Sequence, residues 1–465
     1  MLDTNHRVTI ASGAAQAPDA LPPSRLELRI AEKKAPYDDA SAVLEASRCL
    51  YCADAPCTKA CPSDIDVPTF IHKIATRNTV GAARTILSEN LLGASCARVC
   101  PTEVLCAGAC VYNHWGRPAI EIGRLQRYAT EQALARQPDL LTKTRQPKTG
   151  KRIACVGAGP ASLAAAGHLA LEGHTVHIFE QQPRAGGLNI AGIAPYKLHA
   201  EDALDEVRFV LSLGDIHLRT GTQVVTGTAG AGEISTATLE RDYDAVFLGL
   251  GLGTDTHLDI EGEQGEGVVG ATTLILRIKL DAALSLAGIA RAVVVGGGNT
   301  AIDVARELAQ LGVKEVVIAY RRTAAVMRGY RHEMAAARLE GVRLLEERPP
   351  LAVVRDTQGK VSGLRVNVAG TSREETLPAD LIVVAIGQNR LTQLAAAFAG
   401  VELERDGRVR IDEPTCRTGN AKVYAGGDCV NGGKEVVNAV QHGKLAARAI
   451  TASFAQRHDK DRAHG

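Results

Sequence analysis

One supersecondary pattern occurs twice in this chain: a short apolar strand, a glycine turn, an alanine-rich helix and a second strand. The first copy is RIACVGAGPASLAAAGHLALEGHTVHIFE (152–180) and the second is RAVVVGGGNTAIDVARELAQLGVKEVVIAYRR (291–322). Two such βαβ units imply two α/β domains with parallel sheets, because a parallel pair needs a long crossover and the helix supplies it. At 465 residues the chain is long enough for both and for more besides.

The glycine turns are built for dinucleotides. In the first unit the strand ends at Val156, Gly157 permits the tight turn, and Gly159 lets the backbone approach a pyrophosphate. Ser162 fills the small-residue position that allows close helix–strand packing, and the helix N-terminus favours the anion. Glu180 ends the second strand, where a carboxylate accepts hydrogen bonds from ribose hydroxyls. The second unit offers Gly296, Gly298, Asn299 and Ala301, but its second strand runs into Arg321 and Arg322, with Arg328 close behind. An acid there repels a 2′-phosphate, whereas guanidinium groups bind one bidentately. These arginines therefore favour NADPH over NADH, the alternative being a solvated basic face.

Eight of the eleven cysteines lie between Cys49 and Cys110. Their spacing is C-x2-C-x4-C-x3-C-P from Cys49 to Pro62, then C-x3-C-P-x4-C-x3-C from Cys96 to Cys110. Zinc accepts C-x2-C pairs but has no need of Cys-Pro endings, whereas two-cluster ferredoxins carry them. Iron–sulfur clusters are the preferred reading and structural zinc the alternative. Around the cysteines, DDASAVLEASRCL, VPTFIHKIATRN, VGAARTILSEN and AIEIGRLQRYATEQALA carry apolar residues at helical spacing. A polar, proline-punctuated linker is expected over 136–151. Cys155, Cys416 and Cys429 stand apart with no partner thiol nearby in sequence.

A net charge of +1, with 45% hydrophobic and 23% charged residues, gives no electrostatic argument for nucleic acid or a membrane surface. No apolar run reaches membrane-spanning length, and the start lacks a basic stretch followed by an apolar one. The protein is accordingly expected in the cytoplasm, where structural disulfides are rare.

The closing AGGD, with Gly426, Gly427 and Asp428 before a helix beginning near Val437, resembles the end motif of the two-dinucleotide flavoprotein reductases. In that family the aspartate meets the flavin's ribityl chain, the first βαβ unit binds FAD, and an inserted second unit binds the nicotinamide cofactor. With the cysteine runs added, residues 48–128 and both βαβ units resemble the NADPH–FAD–iron–sulfur half of dihydropyrimidine dehydrogenase. In bacteria that half is a separate small subunit, and the small subunit of NADPH-dependent glutamate synthase shares its plan.

The resemblance implies an α-helical double [4Fe–4S] domain followed by two Rossmann-like α/β domains, the second inserted in the first. Its expected division is a flexible N-terminal arm (1–35), an iron–sulfur domain (36–145), an FAD domain (146–254 and 386–465) and an NAD(P)H domain (255–385). It further implies that Cys49, Cys52, Cys57 and Cys110 hold one cluster. Cys61, Cys100, Cys106 and Gln126 hold the other, which leaves Cys96 spare. The implied flavin contacts are Gly157, Gly159, Pro160, Ala161, Ser162, Glu180, Gly187, Leu188, Lys197, Gly427, Asp428, Asn438, Ala439 and Val440. Those for the nicotinamide cofactor are Gly296, Gly298, Asn299, Thr300, Ala301, Arg321, Arg322 and Arg328.

The function then expected is electron input: NADPH (NADH in some relatives) through FAD and two [4Fe–4S] clusters to an FMN-containing partner subunit that reduces uracil or thymine. Three rivals remain. They are a glutamate synthase small subunit, a stand-alone NADPH:ferredoxin-type reductase, and a zinc-stapled nucleotide-sensing protein.

Overall fold

The computed structural model describes residues 21–136 and 139–464. Its first part is helical: α1 (Asp39–Ala46), α2 (Val67–Ala75), α3 (Thr79–Glu89), α4 (Gly93–Val99) and α5 (Ile122–Arg136). Three of these helices begin on side-chain caps that the sequence supplies locally. Asp38 accepts from the Ser41 N–H, Asp66 from Thr69, and Asn78 from Gly81, each satisfying an otherwise orphaned donor. The apolar stripes of α1, α2, α3 and α5 meet in one core that holds Ala46, Phe70, Ile74, Ile86 and Leu125.

Two parallel sheets follow. Strands β1 (Arg152–Val156), β2 (Thr175–Phe179), β3 (Ile216–Arg219) and β4 (Ala245–Leu248) belong to the first. The second contains β5 (Val268–Gly270), β6 (Arg291–Val295), β7 (Glu315–Ala319) and β8 (Arg343–Leu345). An antiparallel three-stranded sheet, β9 (Pro350–Arg355), β10 (Val361–Asn367) and β11 (Glu374–Pro378), precedes β12 (Leu381–Val384), which returns to the second sheet. Strand β13 (Val423–Ala425) then rejoins the first. The strand orders are β13-β4-β1-β2-β3 and β8-β7-β6-β12-β5. One sheet is thus made of two chain segments, and the other is strung between them.

Helices α6 (Pro160–Leu171) and α9 (Asn299–Gln310) follow the two glycine turns. Strands β1 and β6 are buried over four consecutive residues each, which is why they read as unbroken apolar runs. Cys155 lies inside β1, opposite Ile178 and Phe247, with no exposure. Gly157 has φ +85, and a Cβ there would sit 2.6 Å from the Gly249 carbonyl oxygen. Only glycine makes that turn at that separation.

Buried charges join the parts. Between the cleft and the second sheet, α8 (Ala271–Leu280) carries Lys279, which has no exposure. Its Nζ donates to the carbonyls of Asn189 (2.8 Å), Ile193 (3.1 Å) and Leu198 (2.8 Å). Helix α7 (Ala200–Ser212) presents Glu206 to the start of α4, accepting from the N–H groups of Ala94 (2.8 Å) and Ser95 (3.2 Å). Lys444, on the final helix α10 (Val436–His464), reaches the Ser63 carbonyl (2.8 Å) and Glu89 (3.0 Å).

Two expectations are corrected here. Residues 21–35, expected in a flexible arm, are packed: Leu26 and Ile30 join the second sheet's core, and Glu27 accepts from the Ala200 N–H at 2.6 Å. The remainder of that arm, residues 1–20, falls outside the described residues. In the expected linker, Leu140 and Leu141 are buried in the first sheet's core, so hydrophobic burial overrides the polar, proline-rich composition around them. Among the described residues no helix is long and apolar enough to cross a membrane.

Burial pushes the Glu206 carboxyl up to about 7, so the folded protein retains a proton that an unfolded glutamate gives up near pH ~4.3. The stability from this group is complete below that lower value and is lost as pH rises through the higher one. Glu206→Gln keeps an acceptor for the helix and removes the titration. Urea unfolding across pH 4–8 is expected to lose a slope worth on the order of 3 kcal/mol. An unchanged slope would show that Glu206 does not titrate in this way.

Candidate functional site

Both glycine turns open into one cleft of about 2530 Å³, which also reaches the C-terminal end of α4 at Cys100 and Pro101. From the first turn come Gly157, Gly159, Pro160 and Ala161, faced by Glu180, Gly187, Leu188 and Lys197. From the closing motif come Gly427, Asp428, Asn438 and Ala439. The second turn contributes Gly296, Gly298, Asn299 and Thr300, beside Arg321, Arg322 and Arg328. Three expected contacts lie behind this wall. The side chains of Ser162, Ala301 and Val440 have no exposure, and the latter two are packed into the domain cores.

The cleft has the shape and polarity a dinucleotide needs. A Cβ on Gly298 would meet nothing within 4 Å, and one on Gly159 only the Gly187 Cα at 3.9 Å. Side chains at either place would fill the space in front of a helix N-terminus that the phosphates occupy. Asn189 Oδ1, on the cleft wall, is buried without a hydrogen-bond partner, a cost that a bound polar ligand removes. Glu180 holds the first turn in place: Oε2 accepts from Ala158 N–H and Oε1 from Gln182 N–H, both at 2.7 Å. Each oxygen keeps a further lone pair for a ribose hydroxyl. Burial raises the carboxyl of Glu180 and pushes that of Asp428 up to about 6, the latter opposed by the Lys434 N–H.

Lys197 is already committed within the protein. Its Nζ lies 2.7 Å from Asp303 and 3.6 Å from Glu333, both on the side of the second glycine turn. Burial alone would lower its pKa, but these two carboxylates hold it above the usual lysine value. Tyr330 bridges the same divide, donating from its hydroxyl to Glu435 at 2.7 Å. The guanidinium groups of Arg321, Arg322 and Arg328 are exposed and have no acidic partner among the described residues.

The cysteines separate into two groups. Cys49, Cys52, Cys57 and Cys110 line one small cavity closed by Val67, Ile71, Ile120 and Ile122. Burial pushes the Cys57 thiol up to about 11, with Cys49 and Cys110 adding to it. Burial raises Cys106 above the usual thiol range, and the charges of Cys100 and Cys61 add to it. Gln126 is buried and donates from its amide nitrogen to the Gly93 carbonyl at 2.7 Å, leaving Oε1 as its free acceptor. Cys96 is buried one turn before Cys100, whose N–H donates to the Cys96 carbonyl at 3.0 Å. Burial raises the thiols of Cys49, Cys57 and Cys106, a cost that a bound cation offsets by favouring the thiolate, so sulfur donors of this kind fit metal. All eleven cysteines are free, and Cys155, Cys416 and Cys429 are buried singly. No dithiol therefore faces the first glycine turn.

The sequence reading missed Lys34, Asp303, Tyr330 and Glu435. Lys34 lay within the expected arm, yet its Nζ donates to the Cys100 carbonyl at 2.8 Å and it lines the cleft. Burial lowers its pKa, while Cys100, Glu103 and Cys106 pull it back up. Asp303 and Tyr330 carry no motif. Only their offset from the second glycine turn places them on the cleft.

Two family models match the chain. Residues 27–138 match the family model described as dihydropyrimidine dehydrogenase domain II, 4Fe-4S cluster. Residues 151–443 match that described as pyridine nucleotide-disulphide oxidoreductase. An NAD-dependent dihydropyrimidine dehydrogenase subunit PreT of Salmonella typhimurium is 36% identical over 410 residues, covering 88% of this chain and 93% of that one. A glutamate synthase (NADPH) small chain of Escherichia coli is 32% identical over 446 residues, covering 89% and 92%. Among solved structures, a thioredoxin reductase of T. acidophilum superposes with a TM-score of 0.53 at 22% identity, over 65% of this chain and 98% of its own. That likeness is one of fold. The chain belongs to the pyridine nucleotide-disulphide oxidoreductase family, as an NAD(P)H-dependent flavin and iron–sulfur oxidoreductase of the group that holds the PreT and glutamate synthase small subunits.

Proposed function

We propose that this chain is the electron-input subunit of a bacterial-type dihydropyrimidine dehydrogenase. With FAD, two [4Fe–4S] clusters and NADPH bound, it would take hydride from the nicotinamide onto the flavin and release the electrons singly to a partner. The observation that carries this reading is the single cleft on whose wall both glycine turns and Cys100 lie. Gly157, Gly159, Glu180 and Asp428 would bind FAD, and Gly298, Asn299 and the three arginines NADPH. Cys61, Cys100, Cys106 and Gln126 would hold the cluster nearer the flavin, and Cys49, Cys52, Cys57 and Cys110 the one beyond it. Without a dithiol by the flavin, the cysteine groups supply the route out. The partner would be an FMN- and iron–sulfur-containing subunit that reduces the 5,6 double bond of uracil or thymine.

The glutamate synthase reading stands second, because relatives of that kind match at 32–33% identity over nearly the same length. Leu125-Gln126 at the start of α5 favours the pyrimidine reading, in which the glutamine is the fourth ligand.

Two outcomes are expected. Mixed with an FMN-containing pyrimidine-reducing subunit, the chain gives uracil-dependent NADPH oxidation. If turnover comes instead only with a glutamate synthase large subunit and glutamine plus 2-oxoglutarate, the second reading replaces the first. Arg321→Ala raises KM for NADPH by a factor corresponding to about 1.5–3 kcal/mol and leaves KM for NADH nearly unchanged. Equal effects on both cofactors would remove the arginine from phosphate recognition.

A further inference from the structure

Lys34 occupies a place that neither motif nor resemblance assigns. Its Nζ lies 2.8 Å from the Cys100 carbonyl and 3.5 Å from that of Ala97, at the C-terminal end of α4. The side chain is half-buried and forms part of the cleft wall next to Cys100, Pro101 and Glu103. Among the described residues no carboxylate lies within ion-pair distance of it. Its neighbour Lys33, by contrast, pairs with Glu333 at 3.0 Å.

A half-buried ammonium without a counter-ion costs solvation free energy. The carbonyls at the negative end of a helix offset part of that cost. The rest suits a site where negative charge arrives during function. Two such places adjoin Lys34: the cleft it lines, and Cys100, whose carbonyl it holds, with Cys106 beside it in charge range.

We propose that Lys34 is the counter-charge for the electron received by the cluster of Cys61, Cys100, Cys106 and Gln126, and so draws electrons out of the flavin cleft. The inference rests on the electron-input reading above. The step is one electron leaving the reduced flavin and entering the cluster, whose core goes from 2+ to 1+, with no bond made or broken. Lys34 touches neither redox group through its own chemistry; it acts through its charge and its hold on the Cys100 backbone.

The full chain is tested with Lys34→Met, Lys34→Gln and Lys34→Arg. Each variant is assayed for iron, sulfide and flavin, then titrated with a low-potential reductant and read by electron paramagnetic resonance. Met and Gln are expected to shift the flavin–cluster equilibrium about tenfold against the cluster, equivalent to ~59 mV for one electron. The second cluster holds its potential, metal content is unchanged, and Arg restores the wild-type value. Gln keeps a donor for the Cys100 carbonyl without a charge, so a wild-type potential in Lys34→Gln would overturn the proposal. Loss of iron from the variants would do so as well, because it makes the role structural. If the wild-type chain itself holds no iron, the electron-input reading fails and the assignment of Lys34 falls with it; if iron is present and only the Lys34→Gln shift is absent, the assignment alone fails.

Discussion

The molecule depends on how α4 is held at the edge of the nucleotide cleft. This short helix carries Cys100 at its end, and its first residue, Gly93, anchors the amide of Gln126. Charges from elsewhere grip it on three sides. Glu206 accepts from its first N–H groups, Lys34 donates to its last carbonyls, and Arg98 on its flank pairs with Asp202 at 2.8 Å. The Lys34 ammonium matches the negative end of the helix it meets, while Glu206 and the Arg98 pair hold its start and flank by hydrogen bonds. Because Glu206 and Asp202 lie on α7, which packs against the first sheet, the grip also fixes Cys100 relative to the cleft.

The same principle holds the nicotinamide domain in place. Lys279 satisfies three carbonyls of the flavin domain, Lys197 pairs with Asp303, and Tyr330 bonds Glu435 across the divide. A fully buried lysine is tolerated only when its donors are used, and here its use is to fix one domain against another. The domain interface is therefore wired by a few well-satisfied charges, and the two glycine turns face a common space as a result.

Much of this was legible in the sequence. Alternating strands and glycine turns announced two parallel sheets, since buried parallel strands leave long apolar runs and only glycine makes the turn at Gly157. The grouping of Cys49, Cys52, Cys57 with distant Cys110 came from a family pattern, and the cavity they line is consistent with it. What the sequence hid was long-range. Nothing local distinguishes Lys34, Lys197 or Lys279 from a surface lysine, because their burial depends on which carbonyls the folded chain brings to them. Residues 21–35 misled for the same reason: the alanine, proline and polar content of the chain's start suggested an arm, while Leu26, Glu27 and Ile30 find their partners on segments far away.

The central claim is that the two cysteine groups carry electrons rather than hold the chain together. Iron, acid-labile sulfide, zinc and flavin, determined together on the chain purified without oxygen, test it most directly. The account predicts about eight iron and about eight sulfide with one FAD per chain, matching two four-iron clusters. A protein containing zinc and no iron, with its flavin in place, would contradict it.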